Sequence, residues 1–214
     1  NRDGQKLEVV RFAPNSFAET QWSEKQWDVL DGLKVNGAGA GYFEYRIKWP
    51  QDLSVDNIQK ATFRAELSAK QLFGKDRDDR GEVDGDYMRG RGAHDPSLNP
   101  NAYPMTDETK YPGMVEVLVN GLSAGIFDLE DDPADHRGIL SWFSQPRDRK
   151  LREAGSYGYL VSAFIPESAL RRAAETDQLV IRLKVSDALS GGLAVYGERF
   201  GRYPVEPMVV FEVK

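Results

Sequence analysis

The sequence predicts an all-β protein, a two-sheet sandwich carrying one short helix and a long loop insertion, and three observations predict it. Gly41 to Pro50 (GYFEYRIKWP) and Met114 to Asp128 (MVEVLVNGLSAGIFD) both alternate apolar and polar residues with the period of two that strand geometry imposes. The second stretch breaks at Asn120-Gly121, a dipeptide suited to the positive-φ positions of a two-residue hairpin turn. Val115, Val117 and Val119 then share one face, with Glu116 and Leu118 on the other. Finally, only Glu167 to Glu175 (ESALRRAAE) reads convincingly as a helix, and it is short and amphipathic.

The remaining elements follow in order. Lys6 to Phe12 (KLEVVRF) reads as a first strand, ended by Ala13-Pro14-Asn15. Gln21 to Leu30 places Trp22 and Trp27 five apart, a spacing that suits neither a helix face nor a strand, so irregular structure with a buried aromatic is expected. Lys34 to Gly41 (KVNGAGAG) reads as a glycine-rich turn between strands; without a following Lys-Ser/Thr or a Rossmann spacing it is not a phosphate cradle. In Ala61 to Leu72, Phe63, Ala65, Leu67 and Ala69 alternate with Arg64, Glu66, Ser68 and Lys70, which predicts a long strand with one wet face. Gly74 to Gly113 breaks the rhythm with charges, glycines and prolines, and a segment of that kind inside a compact domain is functional or mobile. After the Asn-Gly hairpin come a polar link at Asp131 to Gly138 (DDPADHRG), an apolar run at Ile139 to Phe143, and a strand at Gly155 to Pro166 (GSYGYLVSAFIP). Leu179 to Val185, Gly192 to Tyr196 and Met208 to Val213 complete a count of roughly eight to ten short, evenly spaced strands, the pattern of a jelly roll.

Composition sets the outer limits. The 214 residues carry a formal net charge of -6 with 40% hydrophobic residues, a balance that predicts a folded chain able to bury its own core. One domain spanning 1–214 is the expectation. The absence of cysteine excludes disulfides, thiolate catalysis and cysteine zinc sites. No apolar run reaches the roughly 18 residues of a membrane span, and the first residues have neither an initiator Met nor a signal-peptide core, so the sequence reads as a mature chain or an excised piece, with a domain excised from a larger protein the favoured expectation. An acidic balance without a basic, aromatic-rich stripe argues against nucleic acid as the principal partner.

From Gly41 onward the order of pieces (YFEYRIKWP, ATFRAEL, VEVLVNGLSAGIF, YLVSAFIP with a short helix after it, QLVIRLKV) resembles the galactose-binding-like jelly roll. That fold serves as the sugar-binding domain of family 2 glycoside hydrolases and in many carbohydrate-binding modules. The resemblance covers about two thirds of the chain and rests on strand patterns and one hairpin turn, which speak to fold more than to ligand. It implies a non-catalytic, carbohydrate-binding ancillary domain of a secreted or periplasmic enzyme, because the family's catalytic acid and nucleophile lie in a separate barrel. The insertion at Gly74 to Gly113 departs from the family pattern.

Sugar recognition needs an apolar platform under a ring's C–H face and planar amide, carboxylate or guanidinium groups on its hydroxyls. Trp142, Tyr103, Tyr111 and Tyr87 are the aromatics nearest polar loops, with Asp135 and Arg137 on the link before Trp142. Each has a structural reading beside the functional one. Trp142 suits a core position between sheets, Asp135 and Arg137 an ion pair pinning their link, and Trp49 a core or edge position. The cluster Asp76, Asp78, Asp84 and Asp86 has the oxygen chemistry of a structural calcium site, although Arg80 and Tyr87 stand where an EF-hand loop places ligands and nearby arginines can neutralise the carboxylates. A jelly-roll polysaccharide lyase using His94, Asp95, Tyr103 and Arg91 is an alternative, as is an inter-domain module that binds no sugar, its contact surface the Gly201 to Pro207 segment. A Ser-His-Asp hydrolase is not supported, there being no G-x-S-x-G elbow.

Overall fold

The computed structural model describes residues 6–23, 25–29, 31–69, 113–129, 158–185 and 192–214. Two antiparallel sheets, one strongly curled, face each other as an all-β sandwich. The described strands are β1 (Lys6–Arg11), β2 (Glu19–Trp22), β3 (Gln26–Val29), β4 (Lys34–Gly37), β5 (Gly41–Lys48), β6 (Ile58–Ala69), β7 (Met114–Val119), β8 (Leu122–Asp128), β9 (Tyr159–Phe164), β10 (Gln178–Val185), β11 (Leu193–Tyr196) and β12 (Met208–Val213). Helix α1 (Glu167–Glu175) joins β9 to β10. Seven strands form one sheet, in the order β1-β12-β6-β11-β4-β3 with β9 also paired to β6, and five form the other, β2-β5-β10-β7-β8. They are called the long sheet and the short sheet below.

Alternation decides which side chains meet. Phe63, Ala65 and Leu67 of β6, Val195 of β11 and Phe211 of β12 point inward from the long sheet, against Phe43 and Tyr45 of β5, Val115, Val117 and Val119 of β7, and Ile181 and Leu183 of β10; all are at most 1% exposed and form one cluster. At about 25 cal/mol per Å² of apolar surface removed from water, this layer is the dominant favourable term for the fold. Trp49 belongs to it, packed edge-on against Phe211 with its indole N–H donated to the Leu53 carbonyl at 2.9 Å. Helix α1 closes one end by burying Ala169, Leu170 and Ala173.

The hairpin forms as expected, with Asn120 at φ 46° and Gly121 at φ 78° between β7 and β8. Asn120 does more than turn the chain. Its side-chain oxygen accepts the Val180 N–H at 3.0 Å and its amide donates to the Gln178 carbonyl at 2.9 Å, so the turn is stitched to β10.

Four expectations change. The region of Trp22 and Trp27 is not irregular: it holds two four-residue strands in different sheets, too short for a periodic pattern to show. The glycine-rich segment is a strand in its first half, and β4 is buried on both faces. Gly37 is required there because Trp22 of the facing sheet lies against its backbone; a Cβ would sit 1.9 Å from the indole. The polar face of β6 is also not uniformly wet, since Thr62, Glu66 and Ser68 are at most 3% exposed while Arg64 is exposed. Twelve strands, rather than eight to ten, occur among the described residues alone.

Candidate functional site

Two sheet faces carry polar side chains in register. On the outer face of the short sheet, Glu19, Glu44, Arg182 and Leu118 line up across β2, β5, β10 and β7. The Glu44 side chain is nearly buried and satisfied at both oxygens, one taking Arg182 at 2.5 and 2.8 Å and the other Arg46 at 2.9 Å. Arg46 also reaches Glu19 at 3.1 Å, and the Tyr42 hydroxyl donates to Glu19. That hydrogen bond, followed by the charges of Arg182 and Arg46, lowers the Glu19 carboxyl below its ordinary value and raises the Tyr42 phenol. The Arg182 guanidinium lies 4.1 Å from the Tyr42 ring centre. Two cations therefore balance two anions, and the strongest donors point at protein carboxylates. The arrangement is a self-satisfied network that fixes strand register, with little left to offer a ligand.

The outer face of the long sheet is different. Lys34, Tyr196 and Glu66 stand side by side on β4, β11 and β6, and Trp27, Asn36, Ala194 and Ser68 form a parallel row across β3, β4, β11 and β6. Directly opposed residues in antiparallel strands share a face, so these side chains lie on the side away from the core. Lys34, Asn36, Glu66, Ser68 and Tyr196 are at most 1% exposed. Burying that many polar groups is costly unless each finds a partner.

Most do, and the connection after β11 supplies several. Gly201 takes φ 78° and turns the backbone so that the N–H groups of Arg202 and Tyr203 donate to Glu66 at 2.9 and 2.8 Å, while Gly158 donates to the same carboxylate at 2.7 Å. Phe200 from this loop packs against Tyr196, and the Lys34 ammonium lies 4.7 Å from the Tyr196 ring centre and 5.6 Å from that of Phe200. The Ser68 and Tyr196 hydroxyls are 3.0 Å apart. Asn36 is the exception: its Oδ1 is buried and has no hydrogen-bond donor. A carbonyl-type oxygen left this way costs roughly 1–3 kcal/mol and asks for an explanation.

The side chains singled out from sequence for sugar binding, Trp142, Tyr103, Tyr111, Tyr87, Asp135 and Arg137, lie outside the described residues, as do Asp76, Asp78, Asp84 and Asp86 and the lyase group of His94, Asp95, Tyr103 and Arg91. Among the described residues no group of three or more acidic or histidine side chains is placed to hold a metal ion. The Gly201 to Pro207 segment, considered above as an inter-domain surface, begins as the strap latched to Glu66. Asn36 was hidden within what reads as a turn; the signal that finds it is a polar residue in a strand buried on both faces, visible only once β4 is paired on both sides.

What the fold and these faces define is a two-sheet antiparallel β-sandwich with a covered polar row on one outer face. Compared with models of known protein families and with curated proteins, the sequence matches none.

Proposed function

We propose that this chain is a non-catalytic carbohydrate-binding domain, a jelly-roll sandwich of the galactose-binding-like type that accompanies the catalytic domain of a secreted or periplasmic glycoside hydrolase. The observation that carries the reading is the meeting of its two sequence motifs. The Asn-Gly hairpin and the strand-helix-strand run, some 60 residues apart, are joined through the Asn120 side chain, and β7 and β10 are neighbours in one sheet. The resemblance rests on both motifs, and their adjacency is what a shared architecture requires.

Affinity electrophoresis in gels cast with plant, algal and host polysaccharides tests the reading. Retardation in at least one gel supports it; uniform mobility in all of them contradicts it. A second reading, an inter-domain packing module, is favoured by the exposed apolar residues Leu7, Leu160 and Phe164, 59%, 40% and 60% exposed, on the long sheet. Mobility unchanged in every gel, together with stable association with the parent's catalytic domain, would move the assignment to that reading.

A further inference from the structure

We propose that β1 is a self-recognition edge, through which two copies of this chain pair antiparallel about a two-fold axis and join their long sheets into one. The inference does not depend on the carbohydrate-binding reading above.

Among the described residues β1, β2, β3, β8 and β9 each have an edge that no other strand pairs, and these edges are not equally open. β2 and β3 are tied to each other by the Thr20 hydroxyl, which donates to the Gln26 side chain at 2.7 Å. β8 and β9 lie against each other, and β8 carries a register shift opposite Val117 and Leu118. Bulges and covering elements of this kind are how proteins blunt an edge. Among the described residues β1 has neither. Its residues Lys6 to Arg11 pair with β12 in unbroken register, include no proline or glycine, and leave Leu7 59% exposed. Phe12 shows which backbone groups face outward. Its N–H donates to the Pro207 carbonyl at 3.0 Å, one step beyond the Arg11–Met208 pair, so Phe12 and, by alternation, Val10, Glu8 and Lys6 turn their backbone groups toward β12. The N–H and C=O groups of Leu7, Val9 and Arg11 therefore point to the side where a further strand would pair.

Charge complementarity selects a second copy as the occupant. Glu8 lies opposite Phe211, a core residue, so Lys6 and Glu8 share the core-side face of the strand while Leu7 lies on the outer face. Opposed residues of an antiparallel pair share a face, so two copies keep their cores on one side only when each residue meets one an even number of positions from itself. Pairing centred on Glu8 sets two carboxylates against each other, and pairing centred on Val9 leaves Glu8 opposite Val10. Centred on Leu7, the strands set Lys6 against Glu8 on both sides of the axis, in the non-hydrogen-bonded pairs where side chains come closest. The two Leu7 residues then exchange backbone hydrogen bonds and pack side by side on the outer face. Core-side charges at a sheet edge discourage pairing with an apolar strand, and here they are complementary to themselves. The contact is isologous and closes at two copies, and its small size makes the dimer a weak one.

Sedimentation velocity of the chain from about 5 to about 500 µM tests the proposal, with backbone amide exchange followed at both ends of the range. A monomer is expected at the low end and a dimer at the high end, with exchange at Leu7 and Val9 slowed about threefold or more only where the dimer forms. Leu7→Lys, which brings two ammonium groups together on the axis, and Lys6→Glu, which opposes carboxylates, are each expected to weaken the dimer about tenfold or more. Exchanging the charges in Lys6→Glu with Glu8→Lys should restore it to within about threefold of the unsubstituted chain. The substituted side chains are exposed or half buried, and the amide exchange of the unsubstituted chain reads the same contact if a variant misfolds. A chain that stays monomeric throughout, or a dimer that Leu7→Lys leaves intact, overturns the proposal. So does slow exchange at Leu7 and Val9 at the low end, which would mean that the edge is already occupied within a single chain. A dimer insensitive to Lys6→Glu, or not restored by the charge exchange, overturns the pairing centred on Leu7, and growth beyond two copies overturns the closed two-fold contact.

Discussion

Glu66 shows how much one side chain organises here. It sits on a strand whose local pattern reads as half wet, yet it is fully buried and accepts three backbone N–H groups, two of them from a loop more than 130 residues away in sequence. Glu66→Ala removes the acceptor and strands those donors, so a loss of about 2–4 kcal/mol is expected in urea unfolding. Gly201→Ala is expected to be destabilising through the same contact, because its backbone has φ 78° and a Cβ would lie 2.6 Å from the carboxylate. In the double variant the clash with the carboxylate is absent, so the two losses should fall short of additivity by about 1 kcal/mol or more. Glu206 makes a pH prediction. Burial, with the charge of Glu198 adding to it, raises its carboxyl above the ordinary 4.5. The folded state then holds this proton more tightly than the unfolded one, so the group's contribution is fully present below pH 4.5 and is lost as pH rises from there through the raised folded value. Glu206→Gln should therefore melt higher than the parent protein at pH 8, and the gap should close by about pH 4.

At the scale of elements, legibility followed periodicity. The hairpin, β5, β10, β12 and α1 each hold enough residues for the period of two, or the spacing of a helix, to repeat, and each forms where the sequence places it. Strands of four residues do not allow that, which is why β2, β3 and β4 are silent in the sequence, while β11, equally short, is legible through its apolar run and not through alternation. Burial on both faces removes alternation from β4 as well, and Asn36 went unnoticed with it. The glycines divide in a way that sequence alone does not reveal. Gly121 needs its positive φ but has open space around it, whereas Gly37 needs only the missing Cβ. Gly121→Ala should cost about 1 kcal/mol, the conformational term alone. Gly37→Ala should cost more, roughly 2–3 kcal/mol, with a shift in tryptophan emission as Trp22 is pushed from its seat, because overpacking against a ring and backbone finds no flexible atom to yield.

For the molecule as a whole, the sandwich was readable because two hydrophobic faces must cover each other, and alternating strands supply them. The chemistry of the outer faces was less readable, since the polar rows arise from register across four strands that are distant in sequence, and no local spacing encodes that register. The outer faces then play different parts. The short sheet's charges are paired with one another, and the long sheet buries polar side chains, with Glu66 held by the backbone of the Gly201 loop. Carbohydrate binding, the function proposed for this chain, is the central claim. It is tested most directly by a glycan microarray probed with this chain alone: the account predicts retained signal confined to one sugar class, and a chain that is folded yet binds no glycan on the array would contradict it.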